Sequence, residues 1–232
     1  MNRLSARIGY WAALLCTLTF VIWLVAFVAI LVVNPLYLWT DYADFLVYNA
    51  TTNSFFAQMA QAAMLLFVAC FVILMAVVQE AAPASKRILA RIAVYFAILC
   101  AGTVGIHYFT QISVVRINLA AGNGAGLEQF VQANPYSYSS GINMLGWTLF
   151  LGLSSAFAAA LFPLFEPGDR LQTVIKWAFV ANAVSVLVGG VAFVADWVIV
   201  VGITMNLCMG GALTTLSVAF TLLFRRNLRE AA

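Results

Sequence analysis

The sequence predicts an all-α integral membrane protein, a six-transmembrane-helix bundle with N- and C-termini cytoplasmic, and three observations carry that reading. Of the 232 residues, 65% are hydrophobic and 8% charged, against roughly 45–50% apolar and about 25% charged in a soluble domain. Such a chain cannot cover its own surface in water. Six charge-poor apolar runs each reach the roughly 18–20 residues that a helix rising 1.5 Å per residue needs to cross about 30 Å of hydrocarbon. Of the eleven Lys and Arg side chains, ten are also sorted to one side of those runs. This composition excludes a soluble α/β enzyme and a nucleic-acid binder. It leaves no polar stretch for a separate soluble domain, so residues 1–232 read as a single transmembrane domain.

The first span, near 9–33, follows Arg3 and Arg7 and stops at Asn34-Pro35. Its length of about 25 residues exceeds the 7–15 of a signal-peptide core, so it is expected to remain as an anchor. The second and third spans lie near 56–78 and 89–113, joined by a basic loop containing Lys86 and Arg87. The fourth lies near 143–165. The fifth and sixth, near 173–195 and 197–223, are expected to meet at Asp196-Trp197, because a turn at Gly189-Gly190 would leave a fifth span of only about 17 residues. Continuous apolar runs favour helices over the alternating strands of a barrel.

Arg3, Arg7, Lys86, Arg87, Arg91, Arg170, Lys176, Arg225, Arg226 and Arg229 all fall at the termini or in the two loops on the same side. Arg116 alone is basic on the other side, where Asp41, Asp44, Glu128 and Asp196 make the face acidic. An excess of Lys and Arg marks the cytoplasmic side, so a multi-pass protein of the plasma (inner) membrane is expected. The basic face is expected to meet anionic membrane lipids.

On the third span, Cys100, Thr103, His107, Gln111 and Asn118 share one face within about 80° at 100° per residue. Polar groups facing lipid are costly, so this stripe should point inward, either for interhelical hydrogen bonds or with His107, the one histidine, binding a ligand or handling protons. Arg116 projects roughly opposite in an ideal helix, so a joint site with His107 would need the helix to end before it. Asn182 in the fifth span shares a face with Asp196. The outer loops, 34–55 and 114–142, are dense in aromatic and acidic residues, with Trp39, Tyr42, Asp41 and Asp44 in the first and Glu128 in the second. The second loop is expected to hold a short amphipathic helix from Leu127 to Ala133, stopped by Asn134-Pro135. These aromatics suit either an interfacial belt or a pocket rim.

Small residues line span four (Thr148, Gly152, Ser155, Ala159) and two faces of span six. A helix that is small on two faces packs between two others, and span six is expected at the centre of the bundle with Asn206 as its most polar buried group. Cys16, Cys70, Cys100 and Cys208 lack metal-ligand spacing, and no cofactor motif is recognisable.

Three functional readings follow. In the first, the protein binds, and in one version carries, a small hydrophobic or lipidic ligand in a pocket near the extracytoplasmic end, lined from His107, Gln111, Thr103, Asn118, Arg116, Asp196, Asn182 and the loop side chains. In the second it is an accessory, assembly or sensory subunit, its partner another membrane protein or a second copy. In the third it is a membrane-embedded enzyme acting on a lipidic substrate, with His107 as acid or base and Asp196 or Glu128 orienting it.

Overall fold

A computed structural model describes residues 2–164 and 168–230. Among them, six helices are long and apolar enough to cross a membrane, and a seventh, short helix lies in the loop after the first of them. In chain order they are α1 (Arg3–Val33), α2 (Tyr42–Thr51), α3 (Phe55–Ala81), α4 (Ala84–Ala120), α5 (Tyr138–Ala159), α6 (Arg170–Val194) and α7 (Val198–Glu230). This is an all-helical, multi-pass membrane protein.

Side-chain chemistry sets the helix ends. Asn2, Asp41, Ser137 and Asp169 each accept a backbone N–H of the first turn, replacing partners that the orphan amides of a helix start lack. The α1 and α3 helices stop before Pro35 and Pro83, which exclude the helical conformation in the residue before them. The α6–α7 turn is closed by Asp196 at φ 58°, with Asp196 N–H donating to Phe193 O and Trp197 N–H to Ala192 O. This is a Schellman closure, in which the left-handed residue is normally Gly, with Asn and Asp the tolerated substitutes. The polar interruption at Asp196-Trp197 is thus the turn itself.

The spans pack as a ring. Each long helix lies against its sequence neighbours, α1 on α3, α3 on α4, α4 on α5, α5 on α6 and α6 on α7, and α7 closes the circle on α1. The expectation of a central sixth span is corrected: α7 stands in the ring wall between α1 and α6, and of its two small faces the one with Cys208, Gly211 and Thr215 is left exposed. Glycines set several of these contacts. A Cβ on Gly152 would sit 2.8 Å from Leu187 Cγ, one on Gly189 2.8 Å from Met205 Sδ, and one on Gly9 2.9 Å from the Phe224 ring. Across seams, Ser154 Oγ donates to Ala93 O at 2.9 Å, Asn182 Nδ2 to Ser155 Oγ at 2.8 Å and Ser185 Oγ to Thr204 O at 2.7 Å.

The two ends of the ring differ in filling. At the end carrying both termini, Phe162, Phe179, Phe220 and Phe224 stack through centroid distances of 5.7–5.9 Å and lie at most 3% exposed. Asp169 pairs there with Arg226, and Glu80 accepts from Ser5 Oγ at 2.7 Å. Toward the loop end the interior opens.

Three helices change winding in that open half. Gln111–Val115 in α4, Leu145–Phe150 in α5 and Ile203–Cys208 in α7 are π-helical. A π turn bonds i to i+5 and inserts a residue into the register. Several sequence expectations shift as a result. The third span runs through residue 113 to Ala120, and the second loop shortens accordingly. The expected helix over Leu127–Ala133 is a run of turns instead, because its backbone groups are bonded to α4 side chains and to Asn134. Regular helix in the loops is found in α2. The expected end of the fourth span at residue 165 lies outside the described residues.

Two outcomes test this packing. Gly152→Val should destabilise the protein by about 1–3 kcal/mol through overpacking, whereas Gly211→Ala, whose Cβ meets nothing within 4 Å, should leave the detergent unfolding midpoint unchanged. The hydrogen bond from Arg226 foremost, with those from Gln172 and the Leu171 amide, holds the Asp169 carboxyl below its ordinary value against the opposing effect of burial. A depressed folded pKa gives stability that is present above the unfolded value of about 4 and lost as pH falls through the folded one. Thermal midpoints should therefore drop on acidification below about pH 4 in the wild type, and Asp169→Asn should remove that part of the slope.

Candidate functional site

The loop end of the ring encloses two adjacent chambers. The first, about 840 Å³, lies between α1, α5 and α7 beneath the α4–α5 loop, with Trp23, Phe27, Trp147, Met205, Asn206 and Met209 prominent in its wall. The second, about 700 Å³, lies between the loop-side ends of α1, α3 and α4 and under α2, with Phe45, Tyr48, Gln58, Gln61, Gln111 and Arg116 among its residues. Trp23, Phe27, Tyr108 and Gln132 belong to both walls. The π segments are tied to these spaces: Gln111 and Val115 face the second, and Trp147, Met205 and Asn206 the first. Such wide turns commonly occur where a helix is reshaped around a functional space.

The first chamber is parted between α1 and the first part of α7. The α1 helix packs on α7 along Met209–Glu230, while Val198–Cys208 packs on α6. The α1–α7 seam is therefore tight at the terminal end and open at the loop end, where Asn206 is exposed with its Nδ2 donating to Gly202 O at 3.1 Å. This corrects the expectation that Asn206 is buried. Asn143, also in that wall, has a buried Oδ1 with no hydrogen-bond partner among the described residues.

His107 has a different role from the one its solitude suggests. It is buried, with Nδ1 3.0 Å from Ser139 O and 2.8 Å from Ser139 Oγ. A carbonyl has no proton to give, so Nδ1–H is assigned as the donor and Nε2 as the bare nitrogen. Gln132 approaches the ring, but Nε2 lacks a hydrogen-bond partner among the described residues. No carboxylate oxygen among them pairs with the imidazole within 4.0 Å.

One turn further along α4, Gln111 donates to Phe130 O at 2.6 Å and to Ser139 Oγ at 3.3 Å, and accepts from the Gln132 amide at 3.0 Å. Gln61 of α3 donates to Gln132 Oε1 at 2.8 Å. Together these side chains fasten residues 127–140 over the ring as a cap.

The structure disperses the remaining sequence candidates. Gln111 and Arg116 come together on the second chamber, because the π segment between them brings Arg116 to the face an ideal helix would turn away from it. His107 lines neither chamber, so the two do not form the joint site for which the sequence reading required the helix to end before Arg116. Arg116 Nε donates to Ile112 O at 2.8 Å. Asp196 faces the first chamber. Thr103 and Asn118 bond back to carbonyls of their own helix, Leu99 O and Val114 O, and Asn182 holds α6 to α5.

Asp41 and Asp44 are engaged at the start of α2, Asp41 accepting the Asp44 amide and Asp44 the Thr40 hydroxyl. Trp39 and Tyr42 pack on Phe45 at 6.0 and 6.1 Å between centroids. Burial, and then the neighbouring Glu128 carboxylate, push the Tyr42 phenol above its ordinary value, so it stays a neutral donor to Gly124 O. Glu128 is exposed.

The chamber residues Trp23, Phe27, Trp147 and Met205 carry no sequence mark that separates them from ordinary apolar packing. The one readable hint is the polar pair Ser137 and Ser140 beside Asn143. Among the described residues no three His, Cys, Asp or Glu side chains gather to hold a metal ion. Comparison with known proteins finds no matching family, no matching curated protein and no matching solved structure.

The polar cap is open to a direct check. Gln111→Leu leaves the Phe130 carbonyl and the Gln132 amide without partners, each costing about 1–3 kcal/mol where buried. Hydrogen exchange in full-length protein should then show faster exchange across 127–140, with the α6–α7 core unchanged.

Proposed function

We propose that the protein binds a small hydrophobic or lipidic ligand in the first chamber, at the extracytoplasmic end of the bundle. The observation that carries this is the chamber itself, a space of about 840 Å³ walled mainly by aromatic and methionine side chains with a few polar groups at its rim. Ligand sites are typically about 300–1,000 Å³, mostly apolar, with few convergent polar atoms. Gln132, Ser137, Ser140 and Asn206 in the wall supply such atoms. The parted α1–α7 seam supports access from the bilayer, so a ligand held in the membrane need not cross water.

The ten basic residues grouped at the terminal end support a cytoplasmic placement of that end, and hence an outward-facing chamber, in the plasma membrane. Membrane lipids are the natural source of such a ligand.

His107 bonded to Ser139 without a paired carboxylate gives no support to an acid–base role. An accessory role draws little from the small-residue faces. Gly9, Gly152, Gly189 and Gly190 are covered within the ring, although Gly211 and Thr215 remain uncovered.

Native mass spectrometry of protein released from neutral phosphatidylcholine nanodiscs tests the proposal. The wild type should retain a bound lipidic species, and Met205→Trp, which puts a larger ring into the chamber wall, should retain less of it. An empty wild-type protein, or equal retention by Met205→Trp, would overturn it.

A further inference from the structure

The second chamber differs from the first in chemistry. Its wall carries a band of amides and hydroxyls, including Asn34, Asn53, Gln58, Gln61 and Gln111, together with a single ionisable cation and no carboxylate. The cation is Arg116, exposed, with Nε committed to Ile112 O and its terminal guanidinium nitrogens in no hydrogen bond or ion pair among the described residues. The nearest element bearing acids, α2, presents Phe45, Tyr48 and Asn49 to the chamber, while Asp41 and Asp44 are engaged in capping its first turn. Glu128 is not part of the wall. The first chamber is the reverse, apolar with Asp196 as its one charged residue.

Because Trp23, Phe27, Tyr108 and Gln132 border both chambers, an apolar space and a cationic polar space meet along a rim of mostly aromatic rings. Arg116 lies eight residues beyond Tyr108 of that rim, roughly 12 Å along a helix. It stands near the end of α4, at the level where a lipid head meets water.

We infer that the two chambers form one site for an anionic single-chain amphiphile, its alkyl chain in the first chamber and its carboxylate or phosphate head against Arg116 and the amide band of the second. This rests on the proposed ligand chamber and adds the sign of the head and the residue that reads it. A guanidinium pairs with carboxylate or phosphate through two parallel N–H···O bonds. Asp196, on the far side of the apolar chamber, disfavours the opposite orientation by like-charge repulsion.

The test uses full-length protein in neutral phosphatidylcholine nanodiscs with hexadecanoic acid, hexadecyl phosphate and hexadecanol as probes. Both anions should bind the wild type more tightly than the alcohol. Arg116→Gln should weaken the anions roughly tenfold or more, the usual size of a lost charge-assisted hydrogen bond. It should leave the alcohol unchanged, and Arg116→Lys should retain most of the anion preference. Equal affinity for acid and alcohol in the wild type, or an Arg116→Gln variant indistinguishable from it, would overturn the inference while leaving the ligand chamber standing. Met205→Trp should weaken binding of all three probes; if it leaves all three unchanged, the ligand chamber fails as well. Acetate or inorganic phosphate alone displacing the long-chain acid at millimolar concentration, with no dependence on chain length, would identify a free-anion site and overturn the amphiphile.

Discussion

Hydrocarbon offers no hydrogen bonds, so every backbone amide and carbonyl in the spans must be paired within the protein, and this constraint organises the molecule from the helix termini to the cap. It explains why Thr19, Thr103, Thr148, Thr204 and Ser217 turn their hydroxyls back onto carbonyls of their own helices. It also limits how a helix can be reshaped. A broken segment would leave amides open, whereas a π turn widens the helix and shifts its register with its backbone bonds still made. The distortions of α4, α5 and α7 are of this kind, and each stands where a chamber wall must bend.

The same constraint governs the loop between α4 and α5. Residues 127–140 return over the ring without regular structure, so their backbone groups need partners from elsewhere. Gln111, Asn134, Ser137 and Ser140 provide them. The α4 polar stripe is explained in the same way. Its inward face was legible from helical periodicity, but whether its partners would be a ligand or a loop was not, since periodicity reports direction and says nothing of what stands opposite.

Much of the architecture could be read from residues alone. Charge-poor runs located six spans, with half of their ends within three residues and the rest within seven, and Asp196-Trp197 identified the tight turn because a polar pair in an apolar stretch has few other uses. What escaped was whatever depends on spacing between helices. Asn206 shares a face with Gly210 and Thr214, which suggests burial, but the chain cannot tell that α1 diverges from α7 at that height. A pocket at this end was expected, but its walls were not readable: a cavity is a distance between walls, and Trp23, Phe27 and Met205 have the composition of a filled core. Arg116 was misplaced by one added residue of register, because the π segment rotates everything beyond Gln111.

A solid end and a hollow end in one ring also imply an uneven distribution of stability. Large side chains at the terminal end are almost fully enclosed, Phe220 and Leu223 at 0% and Phe224 at 1%, and each fully buried side chain of this size contributes about 1.5–3 kcal/mol relative to exposure. The loop half lacks that filling, because cavity walls forgo the dispersion contacts a packed core supplies. Polar bonds of the cap and the rings of the shared rim hold it instead. Opening of such a structure begins where contacts are fewest, at the parted α1–α7 seam. The terminal end stays closed behind its phenylalanine stack and the Asp169–Arg226 pair, so the geometry that leaves room for a ligand also confines motion to the end through which one would arrive.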